Sequence, residues 1–241
     1  DVGTHHIKVV ISERVSERDK EFPKIIGTGY SESRGLRHGY IINGHDVTEG
    51  VRQAVAEAQK AAKVPVRRAF LSVSGIGLEA AVSHGTSIVS RGDGEITEID
   101  VERAQEAARG ALPQATIINR KVLHAIPLSY KIDGKDLLGP SPEGFKGLKL
   151  DVKMLFVTCL EQHLQDLMAA VEEAGVETID AMASPLAGSL VTVTKQQKMA
   201  GCVLANIGAE TVSVVVFENG LPVSLEVFPI GGTDITHDIA L

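Results

Sequence analysis

Along the opening of the chain, apolar and polar positions alternate with the two-residue period of strands. VGTHHIKVVI (2–11) predicts a strand, a tight turn and a second strand with a β-branched run after the turn. ERVSERDKEFP (13–23) predicts a charged hairpin loop, and KIIGTGYSES (24–33) a further strand. The period then changes. In GHDVTEGVRQAVAEAQKAAKVP (44–65), Val47, Val51, Val55 and Ala58 share one helical face; Asp46 or Thr48 is the expected cap and Pro65 the stop. RRAFLSVSG (67–75) follows as a short buried strand, giving the order β-β-β-α-β.

From about Gly77 to Val157 the pattern is that of a separate small module. Strands in LEAAVSHG, RKVLHAIPLSYKI and LKLDVKMLFV flank one helix, ITEIDVERAQEAARGAL, with a Gly/Pro-rich loop, GKDLLGPSPEGFKG, between them. CLEQHLQDLMAAVEEAGV (159–176) then places Leu160, Leu164, Leu167, Met168 and Val171 at helical spacing, with Gly175 as the expected C-cap. ETIDAMASPLAGSLVTV reads as a strand turning into a helix. AGCVLANIGAETVSVVVFENGLPVSLEVFPIGG reads as a β-meander with an Asn219-Gly220 hairpin turn. A strand-turn-strand unit therefore opens the chain, and a second opens its last quarter.

Composition changes this picture little. The chain has 241 residues, 44% apolar and 23% charged, enough for a sizeable core. Its net charge of −7 argues against a general nucleic-acid binder, which needs a basic field. Cys159 and Cys202 lie in apolar runs and read as buried structural thiols in a reducing cytoplasm. No apolar run is long enough to span a membrane, and no signal peptide is expected. The chain opens at Asp1 without methionine and stops at Leu241 in a helical-looking segment, so it reads as a fragment.

The candidate chemistry lies in the two turns. Asp1-Val2-Gly3-Thr4 is a carboxylate, a sharp glycine turn and a hydroxyl. Backbone N–H groups at such a turn cradle phosphate oxygens, and Asp1 would face Mg²⁺ through water. Asn206-Ile207-Gly208-Ala209-Glu210-Thr211 repeats the plan, so two hairpins could grip a polyphosphate from opposite sides. His5 and His6, taken as neighbours on a strand, point to opposite faces and cannot chelate one ion. His84, His124 and His163 have no ligand spacing. Asp93, Glu95, Glu98 and Asp100 read as a solvated, dipole-compatible helix N-terminus.

These strings together resemble the FtsA family of the actin-like ATPase superfamily. DVGTHHIKVVI is similar to its first phosphate loop, and IIGTGYSESRGLRHGYIIN to its Gly/Ser-Arg-Gly segment, with Ser33, Arg34, Gly35 and Gly39 in place. FLSVSG is similar to the strand before the insert, and VLHAIPLSYKIDG with GLKLDVKMLFVTC to the insert itself. The resemblance implies an α/β, actin-like (ribonuclease H-like) fold with a small α+β subdomain inserted in the first half. In that division 1–76 and 159–195 form subdomain 1A, 77–158 the inserted 1C, and 196–241 the start of 2A.

The resemblance further implies ATP with Mg²⁺, phosphate contacts from Asp1, Gly3, Thr4, His5, His6, Gly208, Ala209, Glu210 and Thr211, and metal contacts through water at Asp1 and Asn206. Ala183-Ser184-Pro185-Leu186-Ala187 would link the two halves of the fold. The implied role is a cytoplasmic cell-division scaffold, peripheral on the inner face of the membrane at the division site. Its implied partners are FtsZ and a membrane through parts beyond Leu241, a second copy in a filament, and other divisome proteins through the insert. The second loop departs from the usual DxGGGT, with Asn206 for the acid and Ala209-Glu210 for two glycines. Glu210 is expected to point to solvent, and binding is expected without fast hydrolysis. The alternatives are a type IV pilus actin-like adaptor and a sugar or acid kinase of the same superfamily, the latter without a convincing catalytic carboxylate.

Overall fold

The structure is a computed structural model that describes residues 1–17 and 20–240. β1 (His6–Glu17) and β2 (Lys20–Glu32) form a long antiparallel ribbon. The stretch 13–23 is thus mostly strand and not the loop its charges predict. Opposite charges facing across the ribbon, Arg14 with Glu21 at 3.4 Å and Lys24 with Glu13 at 3.9 Å, suit it to pairing. Arg18 and Asp19, expected in that loop, lie outside the described residues.

Two short strands, β3 (Leu36–Arg37) and β4 (Tyr40–Ile41), pair with each other and lead into α1 (Gly44–Ala62). The cap is Asn43, ahead of the expected Asp46 or Thr48. Its Oδ1 accepts from the Asp46 N–H at 3.4 Å, and its Nδ2 donates to the Asp46 carboxylate at 2.8 Å. The helix ends when Lys63 turns left-handed (φ 58°), its N–H returning to the Gln59 carbonyl at 2.7 Å. The face carrying Val47, Val51, Ala54 and Ala58 is buried against the ribbon. The approach is so close that a Cβ on Gly29 would collide with the Ala54 carbonyl.

β5 (Arg68–Val73) is parallel to β10 (Glu177–Ala183), which follows α4 (Glu161–Glu173). α5 (Ser184–Thr192) leaves β10 with Pro185 in its first turn, where a missing N–H costs nothing. Between β5 and α4 sits the inserted module: β6 (Glu79–Ile88), α2 (Glu98–Gly110), α3 (Gln114–Ile117), β7 (Arg120–Ile132), β8 (Lys135–Asp136) and β9 (Lys149–Leu160). Its antiparallel sheet has the order β6-β9-β7-β8. It holds its own core, including Ile96, Val101, Leu150, Met154 and Phe156. α2 lies on β6 as α1 lies on β2, with Gly85 facing the Ala104 carbonyl where no Cβ fits.

The acidic cluster before α2 is only partly solvated. Asp100 is fully buried and closes a capping box, its carboxylate accepting from the N–H and hydroxyl of Thr97 (3.0 and 2.8 Å) and of Ser90 (3.0 and 2.9 Å). Asp93 and Glu95 pair with Arg91.

α6 (Lys195–Ala200), which the sequence reading did not anticipate, precedes the meander β11 (Cys202–Ile207), β12 (Val212–Glu218) and β13 (Leu221–Phe228). Asn219 and Gly220, with φ of 50° and 86°, make the two-residue turn. α7 (Gly232–Ala240) follows. The main core runs from Val47 and Leu71 through Val157 and Leu167 to Val215 and Leu225. Cys159 is buried, its thiol pushed up to about 11 by burial, and Cys202 is half-buried; both are free. No helix among the described residues is long and apolar enough to cross a membrane.

Candidate functional site

The two turns singled out by the sequence close in the same way. In the first, the Gly3 N–H donates to the His6 carbonyl at 3.2 Å and leaves Thr4 and His5 at the tip. In the second, the Gly208 N–H donates to the Thr211 carbonyl at 2.8 Å and leaves Ala209 and Glu210 at the tip. A Cβ on either glycine would stand 3.0 Å from that same carbonyl oxygen, a tight contact that the turn could relieve only by shifting. The amides of Gly3 and Gly208 are spent inside their own turns. Those of Thr4, His5, Ala209 and Glu210 have no partner among the described residues.

One segment joins the turns. At its start the Ser33 N–H donates to the His5 carbonyl at 3.0 Å. At its end the His38 N–H donates to the Glu210 carboxylate at 2.6 Å, and His38 Nδ1 lies 3.1 Å from the Glu210 carbonyl oxygen. Even fully extended, the five steps from Ser33 to His38 span at most about 18 Å. Left-handed Gly35 and His38, with φ of 79° and 48°, fold the path further. Glu210 therefore does not point to solvent: its carboxylate accepts a hydrogen bond from the His38 backbone N–H. This also turns the carboxylate toward His38, which answers the repulsion expected for an acid in a phosphate loop. The buried Ser33 hydroxyl has no partner among the described residues, a polar atom beside the first turn that a water or ligand oxygen would satisfy.

The second turn is braced from behind. The Gly232 N–H donates to the Gly208 carbonyl at 2.9 Å and the Thr233 N–H to the Ala209 carbonyl at 2.8 Å, so the start of α7 is strapped to it. A Cβ on Gly231 would collide with the Ala209 backbone. Asp1 and Asn206 are both exposed, and the Asp1 carboxylate lies 4.0 Å from where a Gly3 Cβ would stand. No group of three or more His, Cys, Asp or Glu side chains gathers among the described residues. The rings of His5 and His6 do not diverge; they meet edge to face with centroids 4.1 Å apart, because β1 begins only at His6 and strand alternation does not reach His5.

Three residues that the sequence left unmarked tie the insert to the site segment, to itself and to β10. The carbonyl of His38 accepts from the Ile76 N–H at 3.3 Å, at the entry to the module. Arg120, its side chain only 6% exposed, bonds Gly77 at the entry and Thr158 at the exit (2.6 Å to the Gly77 carbonyl, 2.9 Å to the Thr158 hydroxyl), with Glu79 at 3.2 Å. His124 Nε2 accepts from the Ala183 N–H at 3.0 Å, and burial holds its pKa below the usual histidine value, which keeps it the neutral acceptor. No local spacing marks any of them; their partners lie far along the chain.

Residues 75–158 match the family described as the SHS2 domain inserted in FTSA. Over its whole length the chain is similar to proteins named cell division protein FtsA. Identity is 31% over 242 residues for Bacillus subtilis, 30% over 241 for Pseudomonas aeruginosa and 26% over 240 for Escherichia coli K12. It spans about half the length of these relatives: 53%, 56% and 55%. In fold it is similar to a chain of the PilM-PilN type IV pilus biogenesis complex (TM-score 0.70, 17% identity, covering 99% of this chain and 63% of that one). It is also similar to the ethanolamine utilization protein EutJ from Carboxydothermus hydrogenoformans (TM-score 0.51, 12% identity, covering 99% and 53%). The sequence is thus FtsA-like from end to end and the fold actin-like.

Proposed function

We propose that this FtsA-like chain is part of an actin-like cell-division scaffold that holds ATP with Mg²⁺ between its two equivalent turns, self-associates, and tethers FtsZ to the cytoplasmic membrane. The observation that carries the nucleotide reading is the pair of identically closed turns fixed to opposite ends of one short segment. Thr4 and His5 would present amides to one side of a triphosphate, and Ala209 and Glu210 to the other. The hydroxyls of Thr4 and Thr211 and the imidazole of His6 stand next to these tips. A bound Mg²⁺ would neutralise phosphate charge, with Asp1 and Asn206 reached through its water. Binding is favoured over fast turnover: Asn206 replaces an acid, and the one carboxylate at the second tip, Glu210, is engaged by His38.

The division reading rests on the FtsA likeness at 26–31% identity, where the pilus protein's 17% carries the fold alone. Relatives nearly twice as long leave room for FtsZ-binding and membrane-binding parts outside these residues. For self-association the insert offers Leu138 and Leu148, 99% and 75% exposed. In the full-length protein, replacing both with aspartate is expected to abolish filaments in electron micrographs while leaving Tm unchanged and FtsZ captured in a pull-down. Unaltered filaments would remove the insert from the contact, and failure of the unmodified protein to retain FtsZ would remove the division role.

A further inference from the structure

His38 is a non-glycine residue in left-handed backbone, with φ of 48°. A side chain in that region is held there by its surroundings, and both backbone groups of His38 are engaged. Its N–H donates to the Glu210 carboxylate at 2.6 Å, and its carbonyl accepts from the Ile76 N–H at 3.3 Å. One residue therefore bonds the second turn on one side and the entry to the inserted module on the other. Beside it the two backbones touch. A Cβ on Gly39 would stand 2.4 Å from the Gly75 Cα, and one on Gly75 would stand 3.0 Å from the Gly39 Cα.

The root that His38 reaches has little slack. Gly75, Gly77 and Leu78 are buried, and the Leu78 N–H donates to the Gly75 carbonyl at 3.2 Å, so the entry is one tight turn. Tyr40 of β4 closes it from the other side. Its hydroxyl lies 3.0 Å from where a Gly77 Cβ would stand, and its ring meets that of His163, in the first turn of α4, edge to face at 5.2 Å. Arg120 ties Gly77 at the entry to Thr158 at the exit. Close packing of this kind passes a displacement on to β6 instead of absorbing it. β13 also packs on β6 and β9. That contact is made by side chains of the meander, whereas the path through His38 starts at the carboxylate of the turn itself.

We propose that His38 is a relay whose two backbone bonds couple the second turn to the root of the inserted module, so that an occupied turn holds the module more firmly. The identity of the occupant rests on the nucleotide reading; the coupling from Glu210 to the root does not. A phosphate seated on the Ala209 and Glu210 amides would repel the Glu210 carboxylate toward the His38 N–H and strengthen that bond. The coupling is reciprocal: a neighbour that fixes the module would tighten the turn's grip on its ligand by the same factor.

The test is amide hydrogen exchange in this chain, first without nucleotide. Glu210→Ala removes the acceptor and is expected to speed exchange at Ile76 about tenfold, with Val152 inside the module and Val55 in α1 unchanged. Glu210→Gln, whose side-chain carbonyl still accepts, is expected to restore most of that protection. Unchanged exchange at Ile76 in Glu210→Ala would overturn the relay. So would equal acceleration at Val152 and Val55, which is general loosening. MgATP is then added, with calorimetry in parallel, and is expected to slow exchange at Ile76 about threefold in the unmodified chain. Heat of binding without that slowing would overturn the relay. Absence of heat would overturn the nucleotide reading, and the comparison made without nucleotide would still decide the relay.

Discussion

Asp100 is a carboxylate with no water to face, and it is the clearest case of a single residue holding an element in place. Burial alone would raise its pKa, yet the four hydrogen bonds from Thr97 and Ser90 bring it down to about 2. The folded value lies below the unfolded one, so the unfolded chain takes the proton more readily. The stability this provides is present above about pH 4 and is lost as pH falls toward 2. Urea unfolding should therefore show the protein weakening across that window. Asp100→Asn should be about 1–2 kcal/mol less stable at pH 7 and lose that part of the acid dependence. The sequence placed Asp100 at a helix N-terminus but as a solvated acid; its burial and its capping box were not legible, because Ser90 arrives from the preceding loop. Arg120 had no such sign at all. Arg120→Met strands the Gly77 carbonyl and the Thr158 hydroxyl, and thermal or urea unfolding should register a loss of about 3 kcal/mol.

At the scale of elements, period was a better guide than boundary. The apolar spacing of α1, α4 and the meander gave each its type, because burial against a sheet imposes that spacing whatever the details. Caps and ends shifted where a competing side chain won, as Asn43 did over Asp46. The ribbon β1–β2 overran its expected loop because its charges pair across the strands and do not break them. Glycines set the helix-to-sheet distance in both modules. Gly29→Leu has no room beneath the Ala54 carbonyl and must lift α1 from β2. The expected cost is about 3 kcal/mol in urea unfolding, with far-UV signal retained.

For the whole molecule, the repeat of a strand-turn-strand unit was visible along the chain, and so was the module inserted in the first half. What joins the turns was not visible, since the contact from His38 to Glu210 links residues 172 positions apart. That contact changes the meaning of Glu210 from a misfit in a phosphate loop to the tie that fixes the loop's position. The account as a whole stands on the two tips acting on one ligand, and titration calorimetry of this chain with ATP, with and without Mg²⁺, tests that most directly. The account predicts saturable binding in the micromolar range with Mg²⁺, weakened about tenfold or more by either Gly3→Val or Gly208→Val. No heat from the unaltered chain, or an affinity indifferent to both substitutions, would contradict it.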